Sequence, residues 1–111
     1  MAYFLVKLIP PRKTFNDDMT EDERQAMRAH IDYWLPHLNA GLVIAMGPVA
    51  DPEGVWWAMI VNMPSRAWLE GVQAEDPAIR AGLGFRYENF VMPALKVAPV
   101  EPLAPVSSIS P

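Results

Sequence analysis

The alternation of apolar and polar positions along the chain predicts four strands and two principal helices. Ala2 to Ile9 is apolar on both sides apart from Lys7, the pattern of a strand that is central in a sheet or covered on both faces. Pro10 and Pro11 end it, since neither can donate to a ladder. Arg12 to Met19 is polar and reads as a loop. Thr20 followed by Glu23 is a capping box, so a helix is expected to open there and run to about Asn39. Pro36 removes one backbone bond of that helix, which predicts a bend or a restarted turn near Leu35. Gly41 supplies the left-handed residue that ends it.

Leu42 to Met46 is a short continuous apolar run, a strand by its length, closed by Gly47 and Pro48. Asp51, Pro52 and Gly54 mark a hairpin loop, so Val55 to Asn62 is expected to return antiparallel. Trp56 and Trp57 then point to opposite faces, and at most one can line a pocket while the other meets a partner subunit. Pro64 and Ser65 open a second helix that runs to about Gln73. Asp76 and Pro77 repeat the start signal for a short turn, Pro77 to Ala81, ended by Gly82. Phe85 to Leu95 alternates as a last strand, with Phe85, Tyr87, Asn89 and Val91 on one side and Arg86, Glu88, Phe90 and Met92 on the other.

Strand, helix, strand, strand, helix, strand is the split pattern of an α+β, ferredoxin-like βαββαβ sandwich with a four-stranded antiparallel sheet. Residues 1–97 are expected to form this domain, and residues 98–111 a Pro-rich, nearly uncharged tail of polyproline-like character. Two helices cover one face of such a sheet and leave the other bare. Large apolar residues on both faces therefore predict a homodimer whose sheets pack face to face into a dimeric α+β barrel, burying on the order of 1,000 Å² or more per subunit.

Composition narrows the partners. With 51% hydrophobic and 20% charged residues the chain is globular in type. A net charge of −4, with nine scattered basic residues, argues against nucleic acid, whose phosphates need clustered Lys and Arg. There is no cysteine, which excludes thiolate chemistry and suits a reducing compartment. The apolar N-terminus lacks a basic leader region and meets Pro10 too soon to span a membrane, so a cytoplasmic location and no membrane partner are expected.

One residue sits oddly on the first helix. Met27, His30, Ile31, Trp34 and Leu38 share one stripe at three- and four-residue steps, whereas Arg24, Arg28 and Asp32 lie opposite. His30 is thus either a satisfied core histidine or the working group of a pocket. Tyr33 and Trp34, one turn on, are core filling or pocket wall. His37 lies about 10.5 Å farther along the helix, too far to share a metal directly, and no metal site is expected. Asp76 reads as a cap ahead of Pro77, and its second oxygen remains available to another partner.

The spacing His30, Tyr33, Gly41, Gly47, Pro48, together with the segment Asp76, Pro77, Ala81, Gly82, Leu83, resembles the YCII-related family from Tyr3 to about Val97. That resemblance implies a dimeric α+β barrel of ferredoxin-like topology, with the histidine and the aspartate, here His30 and Asp76, as the active-site pair. A few relatives are dehydrochlorinases on hydroxylated aromatic rings, while most have no established reaction. His37 and Pro36 depart from the residues usual in the family. The chemistry that follows is cofactor-free: Asp76 holds one nitrogen of His30, and the other acts as general base in an elimination or isomerisation of an aromatic or enolic small molecule. Tyr33, Trp34, Gly47 and Pro48 are the substrate-contacting candidates. The competing expectation is a binding or accessory module that keeps the pocket and performs no reaction.

Overall fold

The computed structural model describes residues 1–99, so the expected tail lies, from residue 100 onward, outside the described residues. Four strands, β1 (Ala2–Ile9), β2 (Val43–Val49), β3 (Trp56–Met63) and β4 (Arg86–Met92), form one antiparallel sheet in the order β2-β3-β1-β4. The helices are α1 (Phe15–Asp18), α2 (Glu21–Asn39), α3 (Arg66–Ala74) and α4 (Pro77–Arg80). This is the ferredoxin-like α+β topology that the element order predicts.

Strand alternation decides what the helices cover. Phe4, Val6 and Leu8 of β1 and Trp57, Met59, Val61 and Met63 of β3 face inward and are buried. Trp34 from α2 and Leu69 from α3 join them in the core. Leu5 pairs with Ile60 and Phe90 on the opposite face, where Phe90 remains 48% exposed.

The capping box forms as expected: Thr20 Oγ1 accepts from the Glu23 amide at 3.2 Å, and Glu23 accepts from the Thr20 amide at 2.9 Å. Arg12 grips the same Glu23 carboxylate through two nitrogens at 2.7 and 2.8 Å, which holds the carboxyl down at about pKa 2. Helix α2 is lined inward by Glu23, Ala26, His30 and Trp34, with Met27, Ile31 and Leu38 packed at the margin of the core. It runs through Pro36 to Asn39 without a restarted turn, because a proline three residues from the end removes only one bond from the last turns. Gly41 follows at φ +82°.

Three expectations are corrected. The Arg12 to Met19 stretch is not all loop: Phe15–Asp18 forms a helical turn, tied by Thr14 Oγ1 donating to Asp18 at 2.7 Å and anchored by Phe15 packing edge-on to Phe85 at 5.4 Å. Strand β2 does not close at Gly47 and Pro48 but continues to Val49, since β2 is an edge strand and an edge tolerates a proline. Strand β4 stops at Met92 rather than Leu95, where Pro93 ends the pairing. No helix among the described residues is long and apolar enough to cross a membrane.

Candidate functional site

Asp76 is where the two halves of the fold meet. Its backbone is extended, at φ −61° and ψ 128°, and it caps α4 by accepting from the Ala78 amide through Oδ1 at 2.9 Å. The other oxygen, Oδ2, takes three side-chain donors: His30 Nδ1 at 2.7 Å, Trp34 Nε1 at 3.0 Å and the Tyr87 hydroxyl. His30 and Trp34 are four residues apart on α2, so one helical face delivers both. Tyr87 comes from β4, on the inward side of its alternation opposite Leu8. His30 and Asp76 are both fully buried.

Burial alone would push the Asp76 carboxyl up, but the bond to His30 and those to Tyr87 and Trp34 outweigh it and leave the pKa below the ordinary aspartate value. Burial first, and then the Asp76 charge, drive the Tyr87 phenol well above its usual range, so it stays a donor. An ionised carboxylate can only accept. The proton of the His30–Asp76 bond therefore sits on Nδ1, so that whenever the imidazole is neutral its lone pair is at Nε2. That Nε2 is buried and has no hydrogen-bond partner among the described residues. An imidazole held in this way is chemically able to act as an oriented base.

The ring packs edge-on to Trp57, with centroids 5.1 Å apart and planes at 86°. Trp57 also forms part of the wall of a cavity of about 140 Å³, lined by Leu8, Phe15, Met19, Met27, Pro48, Val55 and Phe85 among others. His30 and Asp76 do not themselves line that cavity. Trp57 thus touches both the imidazole and the cavity.

The sequence-derived candidates divide. His30, Asp76 and Trp34 converge on one hydrogen-bonded node, and Pro48 lines the neighbouring cavity. Tyr33 turns toward α3, donating to the Val72 carbonyl at 2.7 Å and packing edge-on to Trp34. Gly47 pairs with Ala58 and lies in a shallow depression with Leu5, Ala45 and Ile60, away from the node. Both Trp56 and Trp57 line the cavity, contrary to the expectation that only one could; Trp56 is the first residue of β3, and Val55 just before it also lines the cavity. His37 packs against Trp34 and Tyr33. Among the described residues no group of three or more His, Cys, Asp or Glu side chains is placed to hold a metal.

Sequence reasoning did not place Tyr87 in the site. The available signal was its position on the inward side of the last strand, where a buried phenol needs a partner. None of the curated proteins compared with the chain matches it. The model of the YCII-related domain matches residues 3–93, from the second residue of β1 past the end of β4 and with every member of the node included, and the chain belongs to that family.

Proposed function

We propose that the chain is a small cofactor-independent enzyme of lyase or isomerase type, in which His30 is the general base and Asp76 its positioning partner. The observation that carries this reading is the 2.7 Å bond from His30 Nδ1 to Asp76 Oδ2, which fixes the tautomer and leaves Nε2 as the proton acceptor. A substrate with a hydroxylated ring or an enol gives its proton to Nε2, and the imidazolium that forms lies against an ionised carboxylate. Elimination of a leaving group or return of the proton at another atom completes the reaction.

The working form is a homodimer. Supporting this is the sheet face that the helices leave bare, with Leu5, Ile60 and the half-exposed Phe90 side by side across three strands.

A second reading, a ligand-binding module without turnover, is favoured by one observation: the imidazole is completely enclosed. His30→Asn separates the two, because an asparagine amide can still donate to Asp76 from near the Nδ1 position and has no atom at Nε2. The wild-type chain is expected to catalyse deuterium exchange beside the carbonyl of small cyclic ketones, followed by NMR. H30N should lose about a hundredfold in rate, within the range of general base catalysis, with an unchanged circular dichroism spectrum. Equal rates in the two proteins remove the base role and leave the binding module.

A further inference from the structure

Charge is unevenly placed on this molecule. The chain is acidic overall, at −4, yet a cleft of about 330 Å³ at one end of the sheet is walled by Lys7, Arg12, Lys13 and Arg86, with Glu53 as the one acid in its wall among the described residues. Lys7, Ile9 and Trp56 alternate onto the same side as Leu5 and Ile60, so the cleft lies beyond the apolar patch of the bare face. None of its residues belongs to the His30–Asp76 node.

The four cations are not equivalent. Arg12 spends Nε on Asp18 and its two terminal nitrogens on Glu23 and the Asp18 carbonyl, at 2.7 to 2.9 Å, and Arg86 holds Glu88 at 2.5 Å. Lys7 and Lys13 form no ion pair among the described residues. Lys7 is the one charged residue of β1, and Glu88, its register partner on β4, is taken by Arg86. Its Nζ stands 4.4 Å from the centroid of the Trp56 ring, whose Nε1 donates to Asp51 at 3.1 Å. A half-buried ammonium on an apolar strand has given up part of its water with an aromatic face in return.

The walls are fixed before anything binds. Arg12 ties the segment 10–13 to the start of α2, and Pro10 and Pro11 stiffen it. Two glycines let the neighbouring loops close on that segment: a Cβ at Gly54 (φ +131°) would stand 3.2 Å from Lys13 Cα, and one at Gly84 (φ +100°) 3.0 Å from Pro11 Cβ. With the Arg12 fork occupied and Arg86 neutralised, the free donors are two ammonium groups on flexible stems, point charges without the planar match to a carboxylate that a free arginine gives. Two such charges against one Glu53 favour a dianion over a monoanion. The cleft also has room for more than the ion, since a cavity of about 150 Å³ already holds benzene.

We propose that this cleft binds a small phosphate monoester, its phosphate held by Lys7 and Lys13 and its organic part against the apolar wall at Trp56 and Pro10. The inference goes beyond the proton-transfer reading and does not use it.

Glycerol 3-phosphate, inorganic phosphate and acetate are the probes, titrated into the full chain at constant ionic strength. Calorimetry gives the affinity, and proton–nitrogen NMR follows the Trp56 indole signal, assigned through W56F. Glycerol phosphate is expected to bind saturably with a shift at Trp56, inorganic phosphate about threefold more weakly and acetate at least about tenfold more weakly. K7Q and K13Q should each lose about tenfold in affinity for glycerol phosphate, and E53Q should gain about threefold. K96Q, which removes a lysine outside the cleft, should change nothing. Lys13 is on an exposed loop, so K13Q carries the test if K7Q does not fold. Absence of saturable binding, acetate binding as tightly as glycerol phosphate, undiminished binding to K7Q or K13Q, or an equal loss in K96Q overturns the proposal. Inorganic phosphate binding as tightly as the ester overturns the assignment of an organic part.

Discussion

Replacing Asp76 by alanine tests how much of the fold hangs on one buried carboxylate. The substitution removes the acceptor of four hydrogen bonds: to the Ala78 amide, His30, Trp34 and Tyr87. Trp34 is cushioned, because its Nε1 also donates to the Tyr87 hydroxyl at 3.1 Å. That leaves two side-chain donors, the buried His30 and the partly buried Tyr87, each costing roughly 1–3 kcal/mol when stranded, and a lost helix cap worth about 1 kcal/mol. The sum is roughly 3–7 kcal/mol, against a total stability of about 5–15 kcal/mol for a domain of this kind.

Asp76→Asn discriminates between lost contacts and lost charge. With its oxygen in the Oδ2 position an asparagine still accepts from the three side chains, and its NH2 then opposes the Ala78 amide, so the cost should fall to about 2 kcal/mol, near one cap plus weakened bonds. Urea unfolding at a fixed protein concentration measures both variants, since association would otherwise shift the midpoint. The expected order is wild type, D76N, D76A, with D76A losing a large fraction of the total stability. A D76A protein that loses less than about 1.5 kcal/mol would falsify the view that this carboxylate is the junction of the fold.

Two further outcomes are expected. Asp76, Asp18 and Glu23 all have pKa values lowered in the fold, Glu23 to about 2; the unfolded chain therefore takes up protons first as pH falls, and the stability these groups contribute, complete above their unfolded values near about 4, is lost from there down to about 2. Acid titrations of unfolding should show that decline, with a shallower slope in D76N, and an unchanged slope would separate Asp76 from the effect. Phe90→Glu places a charge on the bare sheet face, so sedimentation should show monomer in place of the proposed dimer while the circular dichroism spectrum stays native; a wild-type chain that sediments as monomer at all concentrations defeats the dimer itself.

The sequence alone determined the element order and most of the boundaries, because these follow from local signals: Thr20 with Glu23 for the start of α2, Gly41 for its end, and Asp76 before Pro77 for α4. It also placed His30 and Trp34 on the inward stripe, since a helical period needs no tertiary information. Its errors fell where a distant contact overrides local preference. Phe15 forms a helical turn because Phe85, seventy positions on, gives it a surface to pack against, and Pro48 stays in a strand because β2 has an open edge. Only the tertiary structure decided that one oxygen of Asp76 is shared by His30, Trp34 and Tyr87, and that Trp57 stands in contact with both the imidazole and the cavity. The reason is geometric. Periodicity fixes which way a side chain leaves its own helix or strand, while the meeting of side chains from α2, β3, β4 and the start of α4 depends on strand register and on how the helices sit on the sheet, which no local pattern encodes.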